Sequence, residues 1–586
     1  METDPVVATP GNAGVPNEKY LLSKRRFFGY LLLMFGSGWL MSTALPPLNW
    51  HAVAFVALIL PGYLLLGRAK LPALAGGFCY GLGWAFPSFY WLREINPVLP
   101  YLMAPVLGLY LAVWALGFAV LHRWLLIPLD IQLAGAEAVR KFARNQPWRE
   151  LFFTVAVSAL YCIIEHLRSG PLPWNYLSAT QWQNLSLIQI CSVTGTYGVT
   201  FLIVFLNISI ALAVRNGLRL YGSGRYPRPW PFLTALVLLM LALLFGVALD
   251  RSRAARDGAT ATVRLGLLQG DISQRRSASD AEAQEALDVY MELSRKVAPL
   301  RPDLLIWPET AVPFPLMAAH PLCESYRARV AQLILDYRVP MLLGSVDYRP
   351  RPDSGEIEVY NTALLLDTAP EIVDRYDKIN PVPFGEYVPF RRWLPDWAIR
   401  LIDMNRDLTA GTDFSPLALP QREEIKLGMS ICYEDVFPYI ARREAELGAN
   451  LLLVITNDAW YPTSSEPEQH LANAVFRAVE TGLPMARCGN NSASCIILPN
   501  GKISDGLFSD AAGEADPVRR GRACGVLSVE VPLNPPPTFY TRFGPWFIGG
   551  CYLLAGAAFA VCFGLFLARK KALLKPFTPE ESSSHD

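Results

Sequence analysis

Apolar runs of membrane-crossing length restrict this chain more than any other feature. Eight stand out, at about 26–46, 50–67, 72–92, 101–122, 150–167, 188–214, 230–249 and 546–567. A helix needs ~20 mostly apolar residues to cross the hydrocarbon core, where no water satisfies an open backbone. The runs predict a polytopic α-helical membrane domain of about eight helices. Composition agrees: 52% of residues are hydrophobic and 18% are charged. A net charge of +1 offers no basic surface to nucleic acid. The first run lacks a small-residue cleavage site and is followed at once by others, so it reads as an anchor.

Lys and Arg in short loops set the expected orientation. They gather before the first run (Lys19, Lys24, Arg25, Arg26), after the second (Arg68, Lys70) and after the fourth (Arg123, Arg140, Lys141, Arg144, Arg149). They recur after the sixth (Arg215, Arg219, Arg225, Arg228) and the last (Arg569, Lys570, Lys571, Lys575). The alternate loops are poor in cations, apart from Arg93 and Arg168; Arg251, Arg253 and Arg256 weaken the bias locally. The expected organisation is a cytoplasmic tail (1–25), seven helices (26–249), an extracytoplasmic domain (258–535), one helix (546–567) and a cytoplasmic tail (568–586). In the loop at 165–184, Trp174, Tyr176 and Trp182 fit either an interfacial aromatic belt or the lining of a lipid-entry site. Glu165 and His166 close a span there, as functional groups or as residues at the water interface.

The stretch 258–535 alternates β-rich runs (262–268, 304–307, 341–345, 362–367, 425–431, 451–456, 494–498, 525–531) with helical patterns (280–298, 323–337, 436–447, 469–481). That alternation predicts an α/β fold with buried sheets. Chemistry collects where strands end. Glu309 follows Leu304–Trp307 and Pro308; Lys378 closes Arg375-Tyr376-Asp377; Cys432 ends the run Ile425–Ile431; Asn457 and Trp460 follow Leu451–Thr456. A lone Cys is ordinarily a buried small hydrophobe, and lone charges are ordinarily solvated. A carboxylate, an ammonium and a thiol converging at one sheet edge are instead the equipment for acyl transfer through a thioester: base, oxyanion stabiliser and nucleophile. The six His show no metal-ligand spacing, and the ten Cys no disulfide framework.

These words resemble a known family. Trp307-Pro308-Glu309, Tyr376-Asp377-Lys378 and Ile431-Cys432-Tyr433-Glu434 are similar to the Glu-Lys-Cys triad of the nitrilase (carbon–nitrogen hydrolase) superfamily. Gln269-Gly270-Asp271-Ile272, Pro383-Phe384-Gly385-Glu386-Tyr387, Thr456–Trp460, the Pro-Glu-Gln-His stretch at 467–470 and Arg542-Phe543-Gly544 narrow it to the apolipoprotein N-acyltransferases. The resemblance implies an α-β-β-α nitrilase-like sandwich beside the membrane helices. It implies that Cys432 takes an acyl chain from the sn-1 ester of a phospholipid. The chain then passes to the N-terminal amine of an S-diacylglyceryl-cysteine apolipoprotein, the last step of lipoprotein maturation. Glu309 would be the base and Lys378 would stabilise the oxyanion, with Glu386, Tyr433, Glu434, Asn457, Trp460 and Trp174 supporting or binding substrate. No metal or other cofactor is implied, and the expected state is a monomer in the bacterial inner membrane. The competing expectation is a membrane-anchored amidase in which water resolves the thioester. The chain departs from its family's words near Ala278, at Pro462 after Trp460-Tyr461, and at Ser492 in Gly489-Asn490-Asn491-Ser492, where relatives carry Thr-Asn-Asn-Gly.

Overall fold

The computed structural model describes residues 24–126, 136–221, 228–254, 261–273, 279–351, 355–395, 407–461, 464–504, 524–533 and 537–573. Ala278 and Pro462 lie outside them. Among the described residues, five helices are long and apolar enough to cross a bilayer: Leu99–Leu125, Asn145–Ser169, Thr196–Leu220, Trp230–Arg253 and Trp546–Lys571. Two more, Lys24–Ser42 and Lys70–Ser88, have 19 residues each. These two cross with their backbones touching: a Cβ on Gly38 would lie 2.0 Å from Tyr80 O, and one on Gly83 the same distance from Phe35 O.

Two expected runs are divided. The run at 50–67 is a 3-10 turn, His51–Phe55, followed by a seven-residue helix, Ile59–Leu65. Asn207 on the neighbouring helix repairs that break. Its Nδ2 donates to Ala54 O (3.0 Å), and its Oδ1 accepts from Leu58 N (3.0 Å), so freed backbone groups are satisfied inside the bundle. The run at 188–214 splits at Gly195, whose φ of 64° starts the long helix at Thr196.

Beyond residue 261 the chain builds two facing sheets. The strands are β1 (Thr262–Gln269), β2 (Leu304–Ile306), β3 (Val312–Pro315), β4 (Met341–Pro350), β5 (Ile357–Leu366) and β6 (Ile372–Asp377), then β7 (Leu417–Leu419), β8 (Arg422–Ile431), β9 (Leu451–Thr456), β10 (Met485–Gly489), β11 (Cys495–Ile497) and β12 (Gly525–Pro532). One sheet has seven strands in the order β12-β1-β2-β4-β5-β6, with β3 beside β4; the other has five, β11-β10-β9-β8-β7. The inner faces share a core of Leu265, Ile306, Leu342 and Leu365 with Leu427, Met429, Leu453 and Ala486. Helices Asp280–Val297 and Pro321–Tyr337 cover the outer face of the first sheet. Ser279 and Glu282 form a capping box that starts the former.

Helices Pro438–Glu446 and Glu466–Thr481 cover the second sheet. The latter is itself covered, because its far side meets the membrane helices. Every residue of it except Pro467 is buried, including Glu466, Glu468, His470, Arg477 and Glu480. The layers are therefore α-β-β-α, with one outer helix pressed between a sheet and the membrane bundle.

Candidate active site

Parallel strands bring their carboxyl ends to one rim, and the sequence-selected residues meet there. They come from both sheets rather than from one sheet edge: Glu309 and Lys378 follow β2 and β6, while Cys432 and Asn457 follow β8 and β9. Strands β1 to β6, with β12, build one sheet, and β7 to β11 build the other.

Glu309 is held by its own short segment. Trp307 stacks on Tyr290 and donates to Ser294 Oγ (3.0 Å). Gly344 on β4 leaves room for the carboxylate's backbone, since a Cβ there would lie 2.2 Å from Pro308 O. The carboxylate accepts from Asn361 Nδ2 (2.7 Å) and lies 3.5 Å from Lys378 Nζ. The Cys432 thiol lies close enough to feel its charge. Burial pushes the Glu309 carboxyl above the ordinary carboxylate range; Lys378 pulls down without cancelling.

Lys378 follows the anchored end of β6, where Asp377 pairs with Arg349 (2.5 Å). Its ammonium is buried and touches Glu386 Oε1 at 2.8 Å. Burial alone would lower its pKa, but Glu386 and Glu309 outweigh that and raise it, so it stays charged. Glu386 is fixed in turn by Asn361 Nδ2 (3.2 Å) and Val382 N (2.7 Å).

Cys432 sits at φ 54°, a strained turn for a residue other than glycine. The turn stops the buried strand and leaves Cys432 mostly but not fully buried. Burial, then the Glu309 carboxylate, hold the thiol well above its usual pKa, with Lys378 opposing. At rest the sulfur is therefore a thiol, not a thiolate.

Glu434 braces this turn without touching the thiol. It accepts from Ile431 N (2.7 Å), Tyr376 OH (3.0 Å), Ile379 N (2.6 Å) and Asn380 N (3.0 Å). One carboxylate thus ties the Cys432 turn to the segment bearing Lys378. Burial lifts it to about 7, with the amide donors opposing.

The remaining sequence-selected residues divide. Asn457 bonds Asn490 Nδ2 (3.0 Å) and reaches Thr310 Oγ1 (3.4 Å), joining the two sheets' loops. Trp460 is 41% exposed at the rim, whereas Trp174 is 2% exposed. Trp174 stacks on Tyr433 at 6.0 Å and donates to Gln469 Oε1 (2.9 Å). Glu165 is buried, accepting from Leu177 N (2.6 Å) and Thr200 Oγ1 (2.8 Å); with Arg168, which donates to Trp174 O (2.6 Å), it shapes the loop that delivers Trp174. His166 meets Tyr197 OH at 3.1 Å.

A buried ionic group under Cys432 was not selected by sequence reasoning. His470 lies 2.7 Å from Asp435 and 3.1 Å from Asp458, and Arg487 lies 3.4 and 3.6 Å from the same two acids. Asp458, Glu466 and His470 have ligand atoms within 4.8 Å of one another, a spacing that suits a metal ion. Arg487 and His470 already supply the positive charge there, so the cluster reads as an ionic brace. Its signals were an Arg inside the apolar run Met485–Gly489 and a His inside an amphipathic helix. The departure at Ser492 joins it: the hydroxyl accepts from Arg487 Nη1 (3.1 Å). Gly489 makes room, since a Cβ there would lie 2.6 Å from that of Ser492. The two departures in this word compensate each other sterically.

Comparison with known proteins follows this division. Residues 264–514 match the carbon-nitrogen hydrolase family, and residues 37–209 match the apolipoprotein N-acyltransferase N-terminal domain. An apolipoprotein N-acyltransferase of Geobacter metallireducens is 32% identical over 529 residues, covering 88% of this chain and 91% of the relative. One of Rhizobium leguminosarum bv. trifolii is 31% identical over 510 residues, covering 83% and 89%. Among solved structures, an amidase from Nesterenkonia sp. aligns at 18% identity and a TM-score of 0.32, covering 50% of this chain and 96% of that one, a likeness too loose to carry a conclusion.

Proposed function

The chain belongs to the apolipoprotein N-acyltransferase family, and from that premise we propose that Cys432, Glu309 and Lys378 carry its reaction. It is an N-acyltransferase that modifies lipoproteins at a membrane and uses a phospholipid as donor. Relatives that match along most of the chain, membrane helices included, favour this over an amidase.

Glu309 takes the thiol proton as Cys432 Sγ attacks the sn-1 ester carbonyl. Lys378 Nζ and the Tyr433 backbone N–H stabilise the oxyanion. Collapse breaks the ester C–O bond, and the lysophospholipid oxygen leaves with the proton held by Glu309. In the second half the α-amine of the diacylglyceryl-cysteine attacks the thioester, and Glu309 takes a proton from it. The amide forms, the C–S bond breaks, and the proton returns to sulfur. A carboxyl raised by burial is a stronger base than a free one, which suits a thiol that does not ionise at rest. The observation carrying this reading is the buried Glu309–Lys378 contact of 3.5 Å beside Cys432, close enough that the two charges act on its thiol in opposite directions.

The finer organisation belongs to the same reading. The helices cross the membrane about eight times, with the short 51–65 segment as the second crossing. Domain 258–535 faces the periplasm, the termini lie in the cytoplasm, the protein works as a monomer, and the membrane is the bacterial inner one. Loop cations support this orientation. Exposed Trp460 at the rim supports contact with substrate, while Glu386, Glu434, Asn457 and Trp174 act by holding other groups.

The test is intact-mass analysis with phospholipid and no acceptor. Wild type should gain one acyl chain on Cys432, and Cys432→Ala none, with N-acylation of a model lipoprotein lost by at least ~10³-fold. An active preparation that never carries the adduct would refute the thioester.

A further inference from the structure

One charged group beside the nucleophile has no part in that chemistry. His470 is 1% exposed and lies on the covered helix Glu466–Thr481. Its Nε2 is 3.2 Å from the Cys432 carbonyl oxygen and its Nδ1 is 3.1 Å from Asp458 Oδ1. A carbonyl and a carboxylate only accept, so each ring nitrogen must carry a proton and the ring is an imidazolium. Asp435 Oδ1 lies 2.7 Å from Nε2 yet accepts no hydrogen bond. It balances the charge from the side, while the Nε2–H points at the Cys432 carbonyl. Arg487 closes the group behind both acids, and Glu466 Oε1 lies 3.8 Å from Nδ1.

The Cys432 carbonyl and the Tyr433 N–H belong to one planar trans peptide and point in opposite directions. Whatever holds the carbonyl therefore aims the N–H. The plane needs holding, because Cys432 at φ 54° has no intrinsic preference for its conformation. We propose that His470 is a positioning residue: its imidazolium clamps the Cys432–Tyr433 peptide so that the Tyr433 N–H is directed at the acyl oxyanion.

The clamp is mounted on the membrane domain. Gln469, the preceding residue, accepts from Trp91 Nε1 (3.1 Å), Trp174 Nε1 (2.9 Å) and Asn175 Nδ2 (2.9 Å). Trp174 also packs on the His470 ring at 5.4 Å and stacks on Tyr433. The bundle thus fixes both the residue that holds the peptide and the residue after the nucleophile.

The inference rests on Cys432 as the acylated nucleophile, and the experiment separates the two ideas. Full-length protein in phosphatidylethanolamine vesicles is followed at Cys432 by two rates. One is thioester formation from phospholipid; the other is alkylation by iodoacetamide, which displaces iodide and forms no oxyanion. His470→Gln should slow thioester formation about 30- to 300-fold, near the loss expected for one oxyanion donor, and leave alkylation within about twofold. Parallel loss of both rates would mean that His470 merely supports the fold, and undiminished thioester formation would mean that it holds nothing of consequence; either overturns the clamp. Wild type that forms no adduct would refute the nucleophile instead. A check that needs no folded variant is ¹⁵N NMR of wild type labelled at its six histidines. One ring should keep both protons at pH 8, and loss of that signal would overturn the imidazolium.

Discussion

Two helices of this protein invert the usual relation between burial and polarity. In Trp230–Arg253 only 17% of the most apolar window is buried. In Glu466–Thr481 every residue but Pro467 is buried, yet it carries Glu466, Glu468, His470, Arg477 and Glu480. The first is long and apolar enough to cross a bilayer, and its largely uncovered apolar surface makes few specific contacts. The second is an interface between a sheet and a helical bundle, and most of its polar groups find specific partners. Arg477 pairs with Glu480 at 2.8 Å, Glu468 accepts from Asn49 at 2.6 Å, and Gln469 collects three donors from membrane loops. Burial alone therefore does not say what a helix does here; the identity of its surroundings does. Matched buried charges select one docking geometry, which an apolar face would leave loose.

The contrast breaks most sharply at Arg477. Its guanidinium serves Glu480 and Val436 O (2.9 Å), and Glu480 also accepts from Thr196 N (3.0 Å). Arg477→Met should cost about 3–5 kcal/mol by stranding a buried carboxylate. Adding Glu480→Gln should recover much of that loss, read as unfolding midpoints in bicelles. Gln469→Leu leaves the Trp91 and Trp174 indole N–H groups without an acceptor, while Asn175 keeps Ser88 O, and should cost about 1–3 kcal/mol in the same measurement, with activity falling alongside.

Stability should also respond to pH, and the sign follows from the buried groups of the sheet domain. Burial lifts Glu444 from 4.5 to about 9 and Glu434 to about 7, while Asp435 and Asp458, against burial's downward pull, hold His470 up at about 10 from 6.5. In each case the folded state binds a proton that the unfolded state releases. Stability conferred by the carboxyls is lost as pH rises from 4.5 through 7 and 9, and that conferred by His470 between 6.5 and 10. The melting temperature should be several degrees lower at pH 9 than at pH 6, and His470→Gln should flatten its alkaline part. A rise with pH would contradict the assignment. The smallest effect belongs to the lipid-facing helix: Leu241, 54% exposed, should tolerate Ala within about 0.5 kcal/mol.

Much of the site was legible because its residues stand where strands end. Glu309 and Cys432 each close an apolar run with a group that such a run does not otherwise hold, and the structure brings them together with Lys378, which follows the mixed segment Arg375-Tyr376-Asp377. β6, with only Tyr376 of its six residues buried, and β10, with Arg487 inside it, were not expected as strands, because charge interrupts their apolar pattern. In β10 the guanidinium is buried by pairing, which no local pattern reports. Asn361 was passed over for a related reason: it lies inside β5, and only the sandwich brings its amide to Glu309 and Glu386.

The sequence by itself determined what enters the membrane and which groups are available for chemistry, because hydrophobic length and strand-end residues are local properties. The tertiary structure alone decided how those groups meet: that they come from two sheets, that Trp174 is buried under Tyr433 rather than open at the rim, and that a charged helix is the seam between the domains. Those outcomes depend on which distant groups supply the partner for each buried charge, and such pairing is a property of the packed molecule, not of any segment of its chain.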